Sequence, residues 1–342
     1  MHICRRTMLQ LMAGACIANP AISAPTQKII DIHQHFLPAF YAKAVKHWLD
    51  AGFASPAVSS WQASKTIAAM DSADVALSFL SISSPGFAFA HGHAAGRAAR
   101  ACNDEAAQLC RDYPGRFRFF AALPMPDVSQ SLDVLARARQ TPGFAGAGLL
   151  TNYNGHYLGD PAFVPLLEEL DRNGDIVFVH PTEAPCCRNL LPDVPMPSVV
   201  EFAADTARTI TSLLWAGLLS RFGRIRFIFT HGGGALPMIL GREQVVPSTF
   251  GIGPRLAARV PEGVEAALGK LYVDTASVTN RAGIAALRAW LPDSQILFGS
   301  DFPYAPLERS IGGLERLALE PSTRGAIMAG NARRLFDMGP QS

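Results

Sequence analysis

Five side chains of the 342-residue sequence have the types and spacing to gather around one metal ion. The stretch Asp31-Ile32-His33-Gln34-His35 closes an apolar run, with His33 and His35 two residues apart. On a strand such positions face the same side, so two imidazoles aim at one point. His180 ends the run Val177-Phe178-Val179, His231 follows Phe229-Thr230, and Asp301 follows Phe298-Gly299-Ser300. Singly, each is as well explained by a hydrogen-bonded core histidine or an aspartate capping a turn. Jointly they form a donor set. Imidazole and carboxylate suit zinc, and also manganese or iron. Such an ion with an open position generates hydroxide near neutral pH, or polarises a bound carboxylate or phenolate. The residues alone leave open which histidine stands outside the ligand set to serve as acid, base or water orienter.

The elements that must position these groups are legible as alternating runs. Short β-branched and aromatic segments occur at 28–32, 75–83, 117–123, 146–150, 176–179, 226–230, 271–275 and 296–299. Most are uniformly apolar, as parallel strands buried on both faces are. Helical patterns lie between them at 97–113, 129–140, 161–173, 206–221 and 282–290. Asp160 followed by Pro161 starts the third of these, and Gly174 stops it. Eight strands alternating with helices predict an α/β fold of (β/α)8 TIM-barrel type, as one domain over 27–342. Extra length at 36–65, 182–205 and 232–268 follows the first, fifth and sixth strands. The ligand-type residues end strands one, five, six and eight, at the face where such barrels carry their active sites.

Composition narrows the partners. The formal net charge is +2, and with Arg5 and Arg6 set aside basic and acidic residues balance at 28 each. No basic surface for nucleic acid is expected. Residues 1–26 read as an export signal: Arg5-Arg6, then an apolar run over 8–18 broken only by Gln10, then small residues at 21–24. That run is too short to span a bilayer, which takes about 20 residues. Cys4-Arg5-Arg6-Thr7-Met8-Leu9-Gln10 resembles a twin-arginine signal, so a periplasmic protein with no stable membrane insertion is expected. Of six cysteines, Cys102 and Cys110 fall eight apart on one predicted helix, about 12 Å along its axis, too far to bridge.

The donor set resembles that of the amidohydrolase superfamily. Leu150-Thr151-Asn152, His180-Pro181-Thr182, Thr230-His231-Gly232-Gly233-Gly234 and Gly330-Asn331-Ala332-Arg333-Arg334-Leu335-Phe336 are similar to its metal-dependent decarboxylase branch, which includes the aminocarboxymuconate-semialdehyde, γ-resorcylate and 6-methylsalicylate decarboxylases. Ser81-Ile82-Ser83-Ser84-Pro85-Gly86 and Phe202-Ala203-Ala204-Asp205-Thr206-Ala207-Arg208 look most like the 6-methylsalicylate group. The resemblance covers 28–337. It implies one divalent metal, zinc before manganese or iron, held by His33, His35, His180 and Asp301, with His231 beside it. It implies non-oxidative decarboxylation of a small aromatic acid, Asp301 delivering a proton to ring carbon and His231 steadying the oxygen that gains charge. The rival on the same centre is hydrolysis of an ester, lactone, amide or activated C–C bond, with Asp301 as base. Oligomers are common in the resembled group, so a homodimer is expected.

Other candidates are weaker. Arg208 is a carboxylate contact in prospect, though an arginine on a helix is more often solvated. Phe36, Phe87, Phe89 and Trp215 would line an aromatic pocket or serve as plain core. His91 and His93 read as a solvated loop, Asp274 as a hydrogen-bonded structural group, and Glu183 as a possible substrate contact in the fifth loop. Gly232-Gly233-Gly234 has no Lys-Ser/Thr after it, so it is no P-loop. It reads as a place where backbone passes close to the metal site.

Overall fold

The computed structural model describes residues 28–53, 55–187, 190–191, 193–194 and 196–339. The export signal read at 1–26 lies outside the described residues. Eight parallel strands form one sheet in sequence order: β1 (Ile29–His35), β2 (Val75–Ser81), β3 (Phe117–Ala122), β4 (Phe144–Leu150), β5 (Ile176–His180), β6 (Arg226–Phe229), β7 (Tyr272–Asp274) and β8 (Ile296–Leu297). All eight predicted strands are present, with ends shifted by a few residues. The sheet closes where the chain beyond β8 returns to β1. Ile32 N donates to Phe298 O (3.0 Å), Asp301 N to His33 O (2.9 Å) and His35 N to Phe302 O (2.7 Å). The TIM-barrel expectation is met.

The main helices are α1 (Gly92–Asp112), α2 (Val128–Ala138), α3 (Val164–Asn173), α4 (Glu201–Trp215), α5 (Leu236–Thr249), α6 (Arg281–Trp290) and α7 (Leu307–Glu315). A 3-10 turn, Pro161–Phe163, leads into α3; Asp160 caps that turn through Ala162 N, and Gly174 ends α3 in the left-handed region as predicted. Two helices depart from expectation. α1 begins at Gly92, so His91 and His93 stand at a helix start rather than in a loop. Gly92 and Gly96 are poor helix signals by propensity, yet Gly96 is buried, and a Cβ on it would strike the Gln130 side chain of α2. The pattern read as 206–221 divides at Gly217, whose φ of +74° separates α4 from the turn Leu218–Arg221.

The barrel interior is filled by Ile30, Ile32, Phe79, Phe120, Phe178, Ile228 and Leu297, with Phe336 from the C-terminal segment closing the lower end. Phe120 and Phe178 stack at 4.6 Å between ring centres, and Phe79 meets Phe336 at 4.4 Å. This dry floor leaves only the upper ends of the strands for chemistry. Phe178 supports it directly, its ring meeting the edge of His33 at 5.1 Å. Among the described residues no helix is long and apolar enough to cross a membrane.

The seam between β1 and β8 has a polar pin. Asp31 is fully buried and accepts from His33 N (3.1 Å), Gln34 Nε2 (2.9 Å), Ser300 N (3.0 Å) and Ser300 Oγ (2.5 Å). Burial pushes its carboxyl up to about 6 against those hydrogen bonds. Removing the acceptor in Asp31→Ala strands several buried donors. The expected loss is about 3 kcal/mol, read as a lower urea midpoint with an unchanged slope. An unchanged midpoint would show that the seam is held by backbone bonds alone.

Candidate active site

β1 ends with His33 and His35 on one side, as the two-residue spacing requires, and their Nε2 atoms are 3.0 Å apart. Asp301 Oδ1 lies 3.1 Å from His35 Nε2 and 3.4 Å from His33 Nε2. His180, at the end of β5, completes a group whose ligand atoms all lie within 4.8 Å of one another. His231 borders it, its ring centre 5.0 Å from that of His33 and 5.5 Å from that of His180. The five residues read from the sequence are thus brought together. His231 and Asp301 both hold left-handed backbone, with φ of +53° and +68°. Non-glycine residues there are strained by about 1–3 kcal/mol each, and such strain gathers at functional sites.

The outward ring nitrogens fix the inward ones. His33 Nδ1 meets Asp274 Oδ2 at 2.7 Å. His180 Nδ1 meets Pro181 O at 2.8 Å. His35 Nδ1 meets Ser81 Oγ at 3.0 Å and Ser81 O at 3.3 Å. Carbonyls and ionised carboxylates only accept, so Nδ1 of His33 and His180 carries the hydrogen and Nε2 keeps a lone pair. Histidines that bind metal are oriented this way. Two inward Nε2 atoms 3.0 Å apart need a proton or a metal ion between them. The buried set of imidazoles and one carboxylate therefore fits a divalent metal ion.

The electrostatics agree. Burial lowers His180 well below the ordinary imidazole range, and the other histidines add to it. Burial also lowers His35 and His231. His33 is the exception: burial opposes its charge, but Asp274 and Asp301 override that and raise it to about 10. Burial works against the Asp301 carboxylate, yet hydrogen bonds from His33 and His35 hold it well below the usual range. The Asp301 carboxylate facing the imidazoles favours a positive charge beside it.

Asp274 does more than its sequence reading foresaw. One oxygen holds His33; the other accepts from His231 N and Ala276 N, both at 2.9 Å. One buried carboxylate thereby orients two residues of the site. Gly299 makes room for this, since a Cβ on it would stand 2.8 Å from that of His33 and 3.0 Å from Asp274. Tyr304 and Ser81 were missed by the sequence reading. Tyr304 sets its ring edgewise to His35 at 5.3 Å, and its hydroxyl accepts from Ser83 Oγ at 3.2 Å. The signal for both was position: Ser81 ends β2, and Tyr304 follows Asp301 within one turn.

The remaining candidates scatter. Arg208 stands 3.7 Å from Asp205, a fully buried carboxylate that also takes hydrogen bonds from Thr151, from Asn152 Nδ2 (2.7 Å) and from Tyr157 OH (2.6 Å). Arg208 Nη1 is buried with no hydrogen-bond partner among the described residues. Phe36 is core, packed edgewise on Trp61. Trp215 joins α4 to α5 through Glu243 (2.7 Å) and does not line the site. Phe89 is part-exposed against Tyr41. Phe87, Glu183 and His91 line a cavity of about 230 Å³ among the loops after β1, β2, β3, β4 and β5. The glycine triplet follows β6 with positive φ throughout, but a Cβ there would strike Val278, Leu287, Trp290 or Ala203. These glycines let the turn pack on α4 and α6; the expected close pass to the metal site is not the reason for them.

The family model of the amidohydrolases matches residues 30–338. The chain is 32% identical to decarboxylase macB of Penicillium terrestre, over 90% of this chain and 94% of that one. It is 31% identical to the 6-methylsalicylic acid decarboxylase of Penicillium expansum, over 90% and 95%. Its fold is that of the 5-carboxyvanillate decarboxylase of Novosphingobium aromaticivorans, solved with manganese and a nitrobenzoic acid, with a TM-score of 0.78, 18% identity and coverage of 92% and 97%. With the eight-stranded barrel, the gathered histidines and a family match over nearly all the described chain, this protein belongs to the amidohydrolase family.

Proposed function

We propose that the chain is a metal-dependent, non-oxidative decarboxylase of a small aromatic carboxylic acid of the hydroxybenzoate or 6-methylsalicylate kind. The observation that carries this reading is the intact donor cluster on a chain aligned along nine-tenths of its length with relatives named as decarboxylases. Those names favour carbon–carbon cleavage over the hydrolytic alternative.

His33, His35, His180 and Asp301 would hold the ion. Zinc ranks first because the donors are imidazole-rich, with manganese and iron suiting the same set. A bound divalent ion supplies positive charge for the carboxylate and phenolate oxygens of the acid. The chain's own groups do the rest. Asp301 is ionised at rest, so its free carboxylate oxygen takes a proton from the bound acid and returns it to the ring carbon that bears the carboxylate. The C–C bond then breaks, its electron pair restores the ring, and carbon dioxide leaves. His231 hydrogen-bonds the oxygen where charge collects. Arg208 is the candidate contact for a second anionic group, and Phe36 packs against Trp61 directly after β1.

Three tests follow. Asp274→Asn keeps the shape but removes the charge that orients His33; divalent-metal affinity, measured by competition with a chelator, is expected to fall about 10- to 100-fold. Metal content equal to the parent's would remove Asp274 from the site. Asp301→Asn is expected to lower kcat by about 10²- to 10⁴-fold. The parent enzyme, given 6-methylsalicylate or γ-resorcylate in oxygen-18 water, is expected to release carbon dioxide and a phenol free of solvent oxygen. Labelled carboxylate without carbon dioxide, from aryl esters or lactones, would mark a hydrolase instead.

We also infer export and self-association. Residues 1–26 supply the twin-arginine-type pattern, and Met238, Val245 and Phe250 on and just after α5 are exposed apolar groups suited to a second copy. Fractionation is expected to find the chain in the periplasm with a new N-terminus near residue 24, and cytoplasmic when Arg5 and Arg6 become Lys. Sedimentation of the purified protein is expected to give a dimer; a monomer at micromolar concentration would reject the pairing.

A further inference from the structure

Asp205 is hydrogen-bonded to none of the five cluster residues, yet a chain of hydrogen bonds leads from it to His180. Thr151 directly follows β4, and its N–H donates to His180 O (3.0 Å). That bond extends the β4–β5 ladder and sets Thr151 beside the end of β5. Asp205, on α4, is fully buried, and its Oδ2 accepts from the Thr151 hydroxyl and from Asn152 Nδ2 (2.7 Å). A threonine hydroxyl has one hydrogen to give. With that hydrogen committed to Asp205, the Thr151 oxygen presents its lone pairs, and Thr182 N donates to it at 3.1 Å.

The peptide unit that Thr151 holds also faces His180. Its N–H belongs to Thr182 and its carbonyl to Pro181, and Pro181 O accepts from His180 Nδ1 at 2.8 Å. The Pro181–Thr182 bond is trans. A planar trans peptide points its N–H and C=O in opposite directions, so fixing the N–H end aims the carbonyl. The carbonyl keeps the hydrogen on Nδ1 and leaves the Nε2 lone pair to the cluster. Linked hydrogen bonds polarise one another where water is excluded, and Asp205, Thr151 and His180 are all buried. His33 has its orienting carboxylate, Asp274, in direct contact. His180 has one at the far end of this relay.

We propose that Asp205 is a positioning residue for the metal centre: through the Thr151 hydroxyl and the Pro181–Thr182 peptide it fixes the ring of His180 with Nε2 toward the ion. Tyr157, whose hydroxyl donates to the other oxygen of Asp205 (2.6 Å), lies off this path. The proposal rests on the reading that the cluster binds a divalent ion, and not on which bond the enzyme cleaves.

The test pairs zinc affinity of the full chain, by competition with a chelator, with nitrogen-15 NMR of the metal-free protein. The His180 ring is assigned as the imidazole signal absent from His180→Gln. Thr151→Val keeps the shape and removes the hydroxyl. It is expected to weaken zinc binding about ten-fold, and to lose the Nδ1–H signal of His180 through exchange with solvent. Thr151→Ser keeps the hydroxyl and is expected to retain both. Asp205→Ala is expected to match Thr151→Val, and the double variant to bind zinc no more weakly than the weaker single, because both cut one chain. Tyr157→Phe removes a hydrogen bond of Asp205 that is off the relay. It is expected to lower the urea midpoint and to leave zinc affinity unchanged. The proposal is overturned if Thr151→Val binds zinc like the parent with its His180 signal intact, if Thr151→Ser is as weak as Thr151→Val, or if Tyr157→Phe weakens zinc as much. Should Asp205→Ala not fold, the Thr151 pair and Tyr157→Phe decide. The NMR arm needs no metal, so a parent that binds no zinc but shows the expected His180 signals would fail the metal reading and leave the relay standing.

Discussion

Lone pairs that converge on one buried point repel each other, and much of the barrel mouth is arranged to hold them there. His33, His35 and His180 turn Nε2 inward only because Asp274, Ser81 and Pro181 occupy Nδ1 from outside. Asp301 adds negative charge at close range. Without a cation, His33 takes up the charge instead and is raised to about 10. A site that drives one of its own imidazoles to carry a proton is a site short of positive charge. That shortage suits the cluster to a divalent ion, whose binding would displace the proton from His33.

The local backbone is subordinate to that convergence. His231 and Asp301 both accept positive φ just beyond short strands, and both are anchored by backbone hydrogen bonds that over-determine the turn: His231 N to Asp274 Oδ1, and Asp301 N to His33 O. Asp31 fastens the same seam from below through Ser300. The β1–β8 junction is thus both the closure of the barrel and the frame of the site. A side chain on Gly299 would push His33 and Asp274 apart, affecting closure and chemistry together.

Much of this was legible in sequence, for physical reasons. Strands buried on both faces leave uniformly apolar runs, so all eight could be placed, and polar residues ending four of those runs stood out. Residues i and i+2 on a strand made His33 and His35 a pair before any coordinates. What stayed hidden was long-range. Asp274 contacts His33 across 241 residues, and Asp31 reaches Ser300 across 269; no local pattern marks such partners. Phe36 and Trp215 stayed undecided between pocket and core because aromatic residues carry no sign of which surface they bury. The start of α1 was missed because Gly92 and Gly96, the second lying close to Gln130 of α2, weaken the helix propensity on which a local reading depends.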